Sequence, residues 1–223
     1  MEKLELEEYL CLFDLDGTLI ASDRKIYQTV VETRTELCYP QLPIELLVQR
    51  IGLPASELFY DLDLDQVSVQ NAVDRFRENL ARVEFSEQDV FLGVREVLER
   101  LSESKCELMV ATNKPKHLAE IALYGAGINT FFSYVSGGEN LPSKPDPAIL
   151  NSCIVNSERK KVVMIGDRID DIKAALSAGA EPIGIAQGVY STLELTEAGA
   201  KKVFRDAGEF LNALENGWSF GDL

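Results

Sequence analysis

The chain has 223 residues, 46% of them hydrophobic, and its 37 acidic against 22 basic side chains leave a net charge of −15. That length builds one well-cored domain with a smaller insertion, or two modest domains, and the acidic balance argues against nucleic-acid binding through a basic face. A small phosphate ligand stays open, because it responds to the field of its own site, where a dication or one lysine outweighs distant charge screened by salt. The cysteines at 11, 38, 106 and 153 show no C-x-x-C spacing, so reduced thiols are expected rather than a disulfide framework or a zinc site. Residues 1–5 lack the layout of a signal peptide and no apolar run is long enough to span a bilayer, so the expectation is a cytoplasmic protein with no membrane partner.

The first predicted element is a short buried strand, Tyr9-Leu10-Cys11-Leu12, which runs into Phe13-Asp14-Leu15-Asp16-Gly17-Thr18. Two carboxylates at the exit of a buried strand serve packing badly, since ionised groups resist desolvation unless a metal or donors compensate. A period of two sends Asp14 and Asp16 to the same side, and Gly17 permits a sharp turn after them. Such a pair can hold a divalent cation and act on one atom.

Residues 22–83 carry apolar positions at helical spacing, among them Ile26, Val30, Leu47 and Ile51, and predict an inserted helical unit. Its breaks fall at Tyr39-Pro40, Leu42-Pro43 and Gly52-Leu53-Pro54. From 93 onward helices and strands alternate: helix 93–104, strand 107–112, helix 115–125, strand 134–135, helix 147–155, strand 162–165, helix 169–178, strand 181–185 and a closing helix 207–214. The expected fold is therefore α/β, a Rossmann-like parallel sheet flanked by helices. The core domain is set at 1–20 and 86–223, and the inserted helical domain at 21–85.

Ligands of open parallel sheets collect at the carboxyl ends of the strands, and the remaining polar motifs fall there. Thr112-Asn113 places a hydroxyl and an amide at a strand end before a helix, where free N–H groups favour an anion; helix capping is the plainer use of the same residues. Lys144 sits between Ser143 and two prolines, in a stretch stiff enough to aim its ammonium, although an exposed lysine is usually only solvated. Gly166-Asp167 ends a β-branched strand, with Asp170 and Asp171 in the helix that follows. Asp167 can reach a cation, Asp170 complements the helix N-terminus, and Asp171 can return by helical spacing to orient a ligand. His117, the only histidine, reads as a solvated surface residue, and Trp218 as packing.

Taken together, Asp14-Leu15-Asp16-Gly17-Thr18, Thr112-Asn113, Lys144-Pro145 and Gly166-Asp167 through Asp171 resemble, in order and spacing, the four motifs of the haloacid dehalogenase-like (HAD) superfamily of phosphohydrolases. The insertion resembles that superfamily's cap, in the position typical of the phosphoglycolate phosphatase-like branch. The resemblance implies a phosphatase in which Asp14 is the nucleophile that forms an aspartyl-phosphate and Asp16 the acid and then the base. It implies Mg2+ held by the carboxylates of Asp14 and Asp167 and the backbone carbonyl of Asp16, with Thr18 and Asp171 supporting that site from behind. Thr112, Asn113 and Lys144 would bind the phosphoryl oxygens of a small phosphorylated metabolite. A phosphomutase of the β-phosphoglucomutase type and an idle regulatory protein are the competing readings, and the molecule is expected as a monomer or homodimer. Relatives often carry an aspartate where this chain has Ala21, which bears on the hinge of the insertion, and a proline before glycine where it has Leu92-Gly93. Within the insertion, Gly52-Leu53-Pro54 is a turn that can dip toward the site, and Arg24, Lys25 and Arg50 are candidates for an anionic substituent beyond the phosphate.

Overall fold

A computed structural model gives the architecture and describes residues 6–62 and 64–223. Residues 1–5, read above against a leader, lie outside the described residues. In chain order the core runs β1 (Tyr9–Phe13), then, after the insertion, α4 (Val94–Glu103), β2 (Glu107–Ala111), α5 (Lys116–Gly125), β3 (Tyr134–Ser136), α6 (Ala148–Ile154), β4 (Lys161–Gly166), α7 (Ile169–Ala178), β5 (Glu181–Ile185), α8 (Thr192–Glu197), β6 (Lys202–Phe204) and α9 (Ala207–Glu215). The insertion holds α1 (Asp23–Glu36), α2 (Ile44–Val48), a 3₁₀ segment at Ala55–Leu62 and α3 (Gln66–Leu80).

Among the described residues six strands form one sheet in the order β3-β2-β1-β4-β5-β6, every neighbouring pair parallel. The α/β fold expected from the alternation is the one observed. Strand order reverses between β1 and β4, so the crevice that ligands favour in such sheets lies beyond the ends of these two strands. β1 is buried along its whole length, and its side chains alternate between two apolar layers. Leu10 and Leu12 pack with Met109, Met164 and Ile149 on one face, while Cys11 and Phe13 join Val110, Val163 and Ile165 on the other. Each such side chain contributes roughly 1.5–3 kcal/mol on burial, which fixes the register of the strand that carries the carboxylates.

The insertion has an apolar centre of its own, built from Val30, Leu47, Phe59 and Phe76, and α5 of the core contributes Leu118 to it. Arg34 is fully buried there, donating to the carbonyls of Pro40 and Leu58 at 2.8 Å each, and so ties the end of α1 to the 3₁₀ segment. Where the chain leaves and re-enters the core, the Ala21 N–H donates to the Asp89 carbonyl (2.8 Å) and the Phe91 N–H to the Leu19 carbonyl (3.2 Å). Lys25 spans the same junction, with its ammonium 2.6 Å from the Glu84 carbonyl and 2.8 Å from Asp89 Oδ2. The hinge at Ala21 is thus held by backbone bonds and by Lys25.

Neither α8 nor β6 stands in the sequence reading. β6 extends the sheet beyond β5, and Trp218 covers it, its ring 5.3 Å from Phe204, 6.0 Å from Phe210 and 5.7 Å from Phe220. Among the described residues no helix is long and apolar enough to cross a membrane.

Candidate active site

The Asp14 N–H donates to the Ile165 carbonyl at 2.9 Å, so Asp14 continues the pairing of β1 with β4 by one residue before the chain turns. Gly17 makes that turn at φ +88°, a conformation that L side chains rarely adopt, and a Cβ there would stand 2.6 Å from Asp167 Oδ2. The close approach brings the loop after β1 against the end of β4. Thr18 secures it, its hydroxyl donating to Asp167 Oδ1 at 2.8 Å.

Asp14, Asp167 and Asp171 offer carboxylate oxygens within 4.8 Å of one another, and none of the three is more than 3% exposed. Such a gathering is unfavourable unless cations offset it. Lys144 supplies one charge, its ammonium 2.8 Å from Asp14 Oδ1, 2.6 Å from Asp171 Oδ1 and 2.9 Å from the Ala111 carbonyl. One ammonium does not balance three carboxylates. Burial pushes Asp14 up to about 6 against the pull of Lys144, with Asp171 adding to the rise. Burial, then Asp14 and Asp171, hold Asp167 well above the ordinary carboxylate range. For Lys144 burial acts downward, but Asp14 and Asp171 outweigh it and hold the ammonium charged.

Asp16 faces a different partner. Both its oxygens accept from the Lys114 ammonium, at 2.6 and 2.7 Å, and this pair is also buried. Thr112 lies beside it, buried, with its hydroxyl oxygen accepting from the Lys114 N–H at 3.2 Å. Asn113 uses both ends of its amide: Oδ1 accepts from the Lys144 N–H at 2.9 Å, and Nδ2 donates to the Gly52 carbonyl at 3.0 Å. It therefore links the lysine loop to the insertion. Arg168, buried at the start of α7, donates to the neighbouring Ile51 carbonyl at 2.6 Å, and its guanidinium lies 5.4 Å from the Tyr190 ring. The 50–54 turn does dip onto the core.

A cavity of about 40 Å³ lies between this turn and the core, lined by Asp16, Thr112, Asn113 and Lys114 on one side and by Arg50, Leu53, Phe76 and Arg77 on the other. Of the three basic residues considered in the insertion, Arg50 lines this cavity, Lys25 is committed to the hinge, and Arg24 is exposed. His117 is exposed on α5. The eight residues singled out in the sequence, Asp14, Asp16, Thr18, Thr112, Asn113, Lys144, Asp167 and Asp171, all lie on the strand-end loops and the first turn of α7. Sequence reasoning passed over Lys114 and Arg168. Arg168 sits inside a motif quoted above and Lys114 directly follows another, and at neither position does the sequence mark the partner.

Two outcomes follow from this geometry. Asp14 titrates at about 6 when folded against an ordinary value of 3.8, so the native state holds more protons across that window and stability falls as pH rises through it. In chelator, Asp14→Asn is expected to melt higher than wild type at pH 8, by roughly 2–4 °C per kcal/mol of relieved charge burial, with the gain shrinking toward pH 4. A variant melting below wild type at pH 8 would show that the lost Lys144 contact dominates instead. Arg168→Ala removes a charged donor from the Ile51 carbonyl, a bond of about 1.5–3 kcal/mol, and should speed amide exchange in residues 50–58 roughly ten- to a hundredfold. Unchanged exchange there, read by mass spectrometry, would mean that Arg168 does not hold the turn.

The family profile described as haloacid dehalogenase-like hydrolase matches residues 11–185. A phosphoglycolate phosphatase of Haemophilus influenzae (strain 86-028NP) is 33% identical over 219 residues, covering 91% of this chain and 96% of its own length. The crystal structure of a predicted phosphoglycolate phosphatase from Haemophilus somnus superposes with a TM-score of 0.76 at 26% identity, covering 93% of this chain and 98% of that one. A predicted phosphatase from Clostridium acetobutylicum shares the fold with a TM-score of 0.81 at 24% identity, covering 93% of this chain and 98% of its own. With its four motifs gathered at the carboxyl ends of the strands, the chain belongs to the haloacid dehalogenase-like hydrolase family, in its phosphoglycolate phosphatase-like branch.

Proposed function

We propose that the chain is a magnesium-dependent phosphatase that hydrolyses a small phosphomonoester through an aspartyl-phosphate on Asp14. The observation that carries the reading is the buried triad Asp14, Asp167 and Asp171 with Lys144 bridging two of its members. An all-oxygen donor set, buried and short of positive charge, fits a hard dication such as Mg2+. Asp14 and Asp167 would hold the ion, with the Asp16 carbonyl, and Asp171 supports the set from α7. When bound, the ion supplies positive charge to the transferring phosphoryl oxygens.

The chain's own groups divide the remaining work. A carboxylate oxygen of Asp14 forms a bond to phosphorus as the ester P–O bond breaks, and Asp16 gives its proton to the departing oxygen. A water then attacks the aspartyl-phosphate and passes a proton to Asp16, and the Asp14–phosphorus bond breaks to release inorganic phosphate. Lys144 stays charged beside Asp14 and favours its ionised, attacking form while offering a cation to the phosphoryl group. Thr112 presents a hydroxyl at the end of β2, and Asn113 positions Lys144 by accepting its N–H. The helical insertion serves as the cap, limiting stray water at the aspartyl-phosphate. A partly open cavity of about 40 Å³ adjoins Asp16, Thr112 and Asn113, where the organic part of an ester would enter. The relatives to which the chain is similar are named phosphoglycolate phosphatases, and 2-phosphoglycolate is the first compound to test.

Phosphate release from a panel of small phosphoesters and sugar phosphates should require added magnesium and should fall by roughly 10³-fold or more in Asp14→Asn. Equal release in chelator removes the metal from the proposal, and turnover retained by the variant removes the nucleophile.

A further inference from the structure

The lysine between β2 and α5 is withdrawn from solvent together with one acidic partner. The Lys114 ammonium donates to both oxygens of Asp16, at 2.6 and 2.7 Å, and the two side chains are only 4% and 7% exposed. Among the described residues the Asp16 carboxylate has no other hydrogen-bond donor. Stability gives little reason to keep such a pair, because desolvation of two charges offsets most of their attraction and apolar groups of the same volume often serve as well. The chain nevertheless fixes Lys114 on three sides. Its N–H donates to the Thr112 hydroxyl oxygen at 3.2 Å, and Pro115 restricts its backbone to extended conformations. Its ammonium lies 5.6 Å from the ring of Phe85, which belongs to the segment returning from the insertion.

We propose that Lys114 is a positioning residue for Asp16, holding its carboxylate in one rotamer with the free lone pairs toward the cavity that Asp16 lines. The reading rests on the proposed phosphatase activity and adds a residue to its acid–base steps. Each carboxylate oxygen has two acceptor positions, and Lys114 occupies one on each, so the others stay open to substrate and water. An ammonium has only donors. While Asp16 carries its proton, that O–H cannot be spent on Lys114 and is directed away from it, toward the ester oxygen. As the ester P–O bond breaks, the proton passes to the departing oxygen, and the carboxylate that remains accepts from Lys114 through both oxygens, the geometry seen here. From that geometry it takes the proton of the attacking water in the second step. Two aspartates that stand two residues apart are thus held by separate lysines, Asp14 by Lys144 and Asp16 by Lys114.

The choice of leaving group separates proton delivery from folding. Ethyl phosphate releases a strongly basic alkoxide that needs a proton, whereas p-nitrophenyl phosphate releases a stable phenolate that does not, and neither carries a carboxylate. Both are measured with magnesium for wild type, Lys114→Met and Lys114→Arg, as kcat/KM, which reports the steps up to the aspartyl-phosphate. Lys114→Met should lower the ethyl-to-nitrophenyl ratio of kcat/KM by roughly 10- to 100-fold, part of what a well-placed acid contributes. Lys114→Arg, which offers a fork to the same two oxygens, should restore most of that ratio. An equal loss on both esters would assign Lys114 to stability and overturn the proposal while the phosphatase reading stands. Removing one member of a buried pair can cost the fold, so Phe85→Leu, which keeps the pair and removes only the ring, is measured beside it. It should lower the same ratio by roughly two- to fivefold, and an unchanged ratio overturns the proposal if Lys114→Met does not fold. Wild type that hydrolyses neither these esters nor 2-phosphoglycolate removes the phosphatase reading, and the role of Lys114 with it.

Discussion

Three carboxylates withdrawn from water at the junction of two strands are the constraint around which the molecule is organised. Their mutual repulsion is opposed by Lys144, and that lysine is fixed at both of its own ends, its backbone N–H by the Asn113 amide oxygen and its ammonium by the Ala111 carbonyl. The sheet provides rigidity for an arrangement that would relax if it could. β1 and β4 are packed on both faces, so the carboxylates at their ends cannot separate without unpacking apolar layers. In the proposed reading, the negative charge that is uncomfortable in the resting protein favours the binding of a cation.

The second level of organisation is the contact between insertion and core. It joins unlike partners: two side chains of the core, Asn113 and Arg168, and two consecutive carbonyls of the insertion, those of Ile51 and Gly52. Both donors lie next to groups of the reaction centre, Asn113 beside Thr112 and Arg168 beside Asp167. The residues that seat the insertion are therefore neighbours of those of the candidate centre.

Most of the site was legible because its residues sit where packing has no use for them. Asp14, Asp16 and Asp167 interrupt apolar strands, and a polar group at a buried strand end is conspicuous in any sequence. The alternation from residue 93 onward likewise revealed the sheet, since amphipathic helices between apolar runs have few other solutions. Lys114 was not legible for the opposite reason: a lysine after a strand and before a helix is ordinary, and only the fold brings it to Asp16. Arg168 was hidden in the same way, its partner being a carbonyl 117 positions away. β6 has three residues, too few for a period to register, and α8 has six, although its Ser191 and Glu194 capping box was a usable mark.

The tie between insertion and core ends on main-chain oxygen atoms. A carbonyl is present whatever side chain its residue bears, although the Ile51 side chain packs in the insertion's apolar centre, and Gly52 is constrained by its φ of +85° and by the nearness of Arg168 Cδ. The insertion can thus exchange the side chains that face its cavity while still seating in the same place. In the proposed reading, side chains of the cavity wall such as Leu53 and Arg77 can therefore change without touching the two main-chain contacts that seat the insertion.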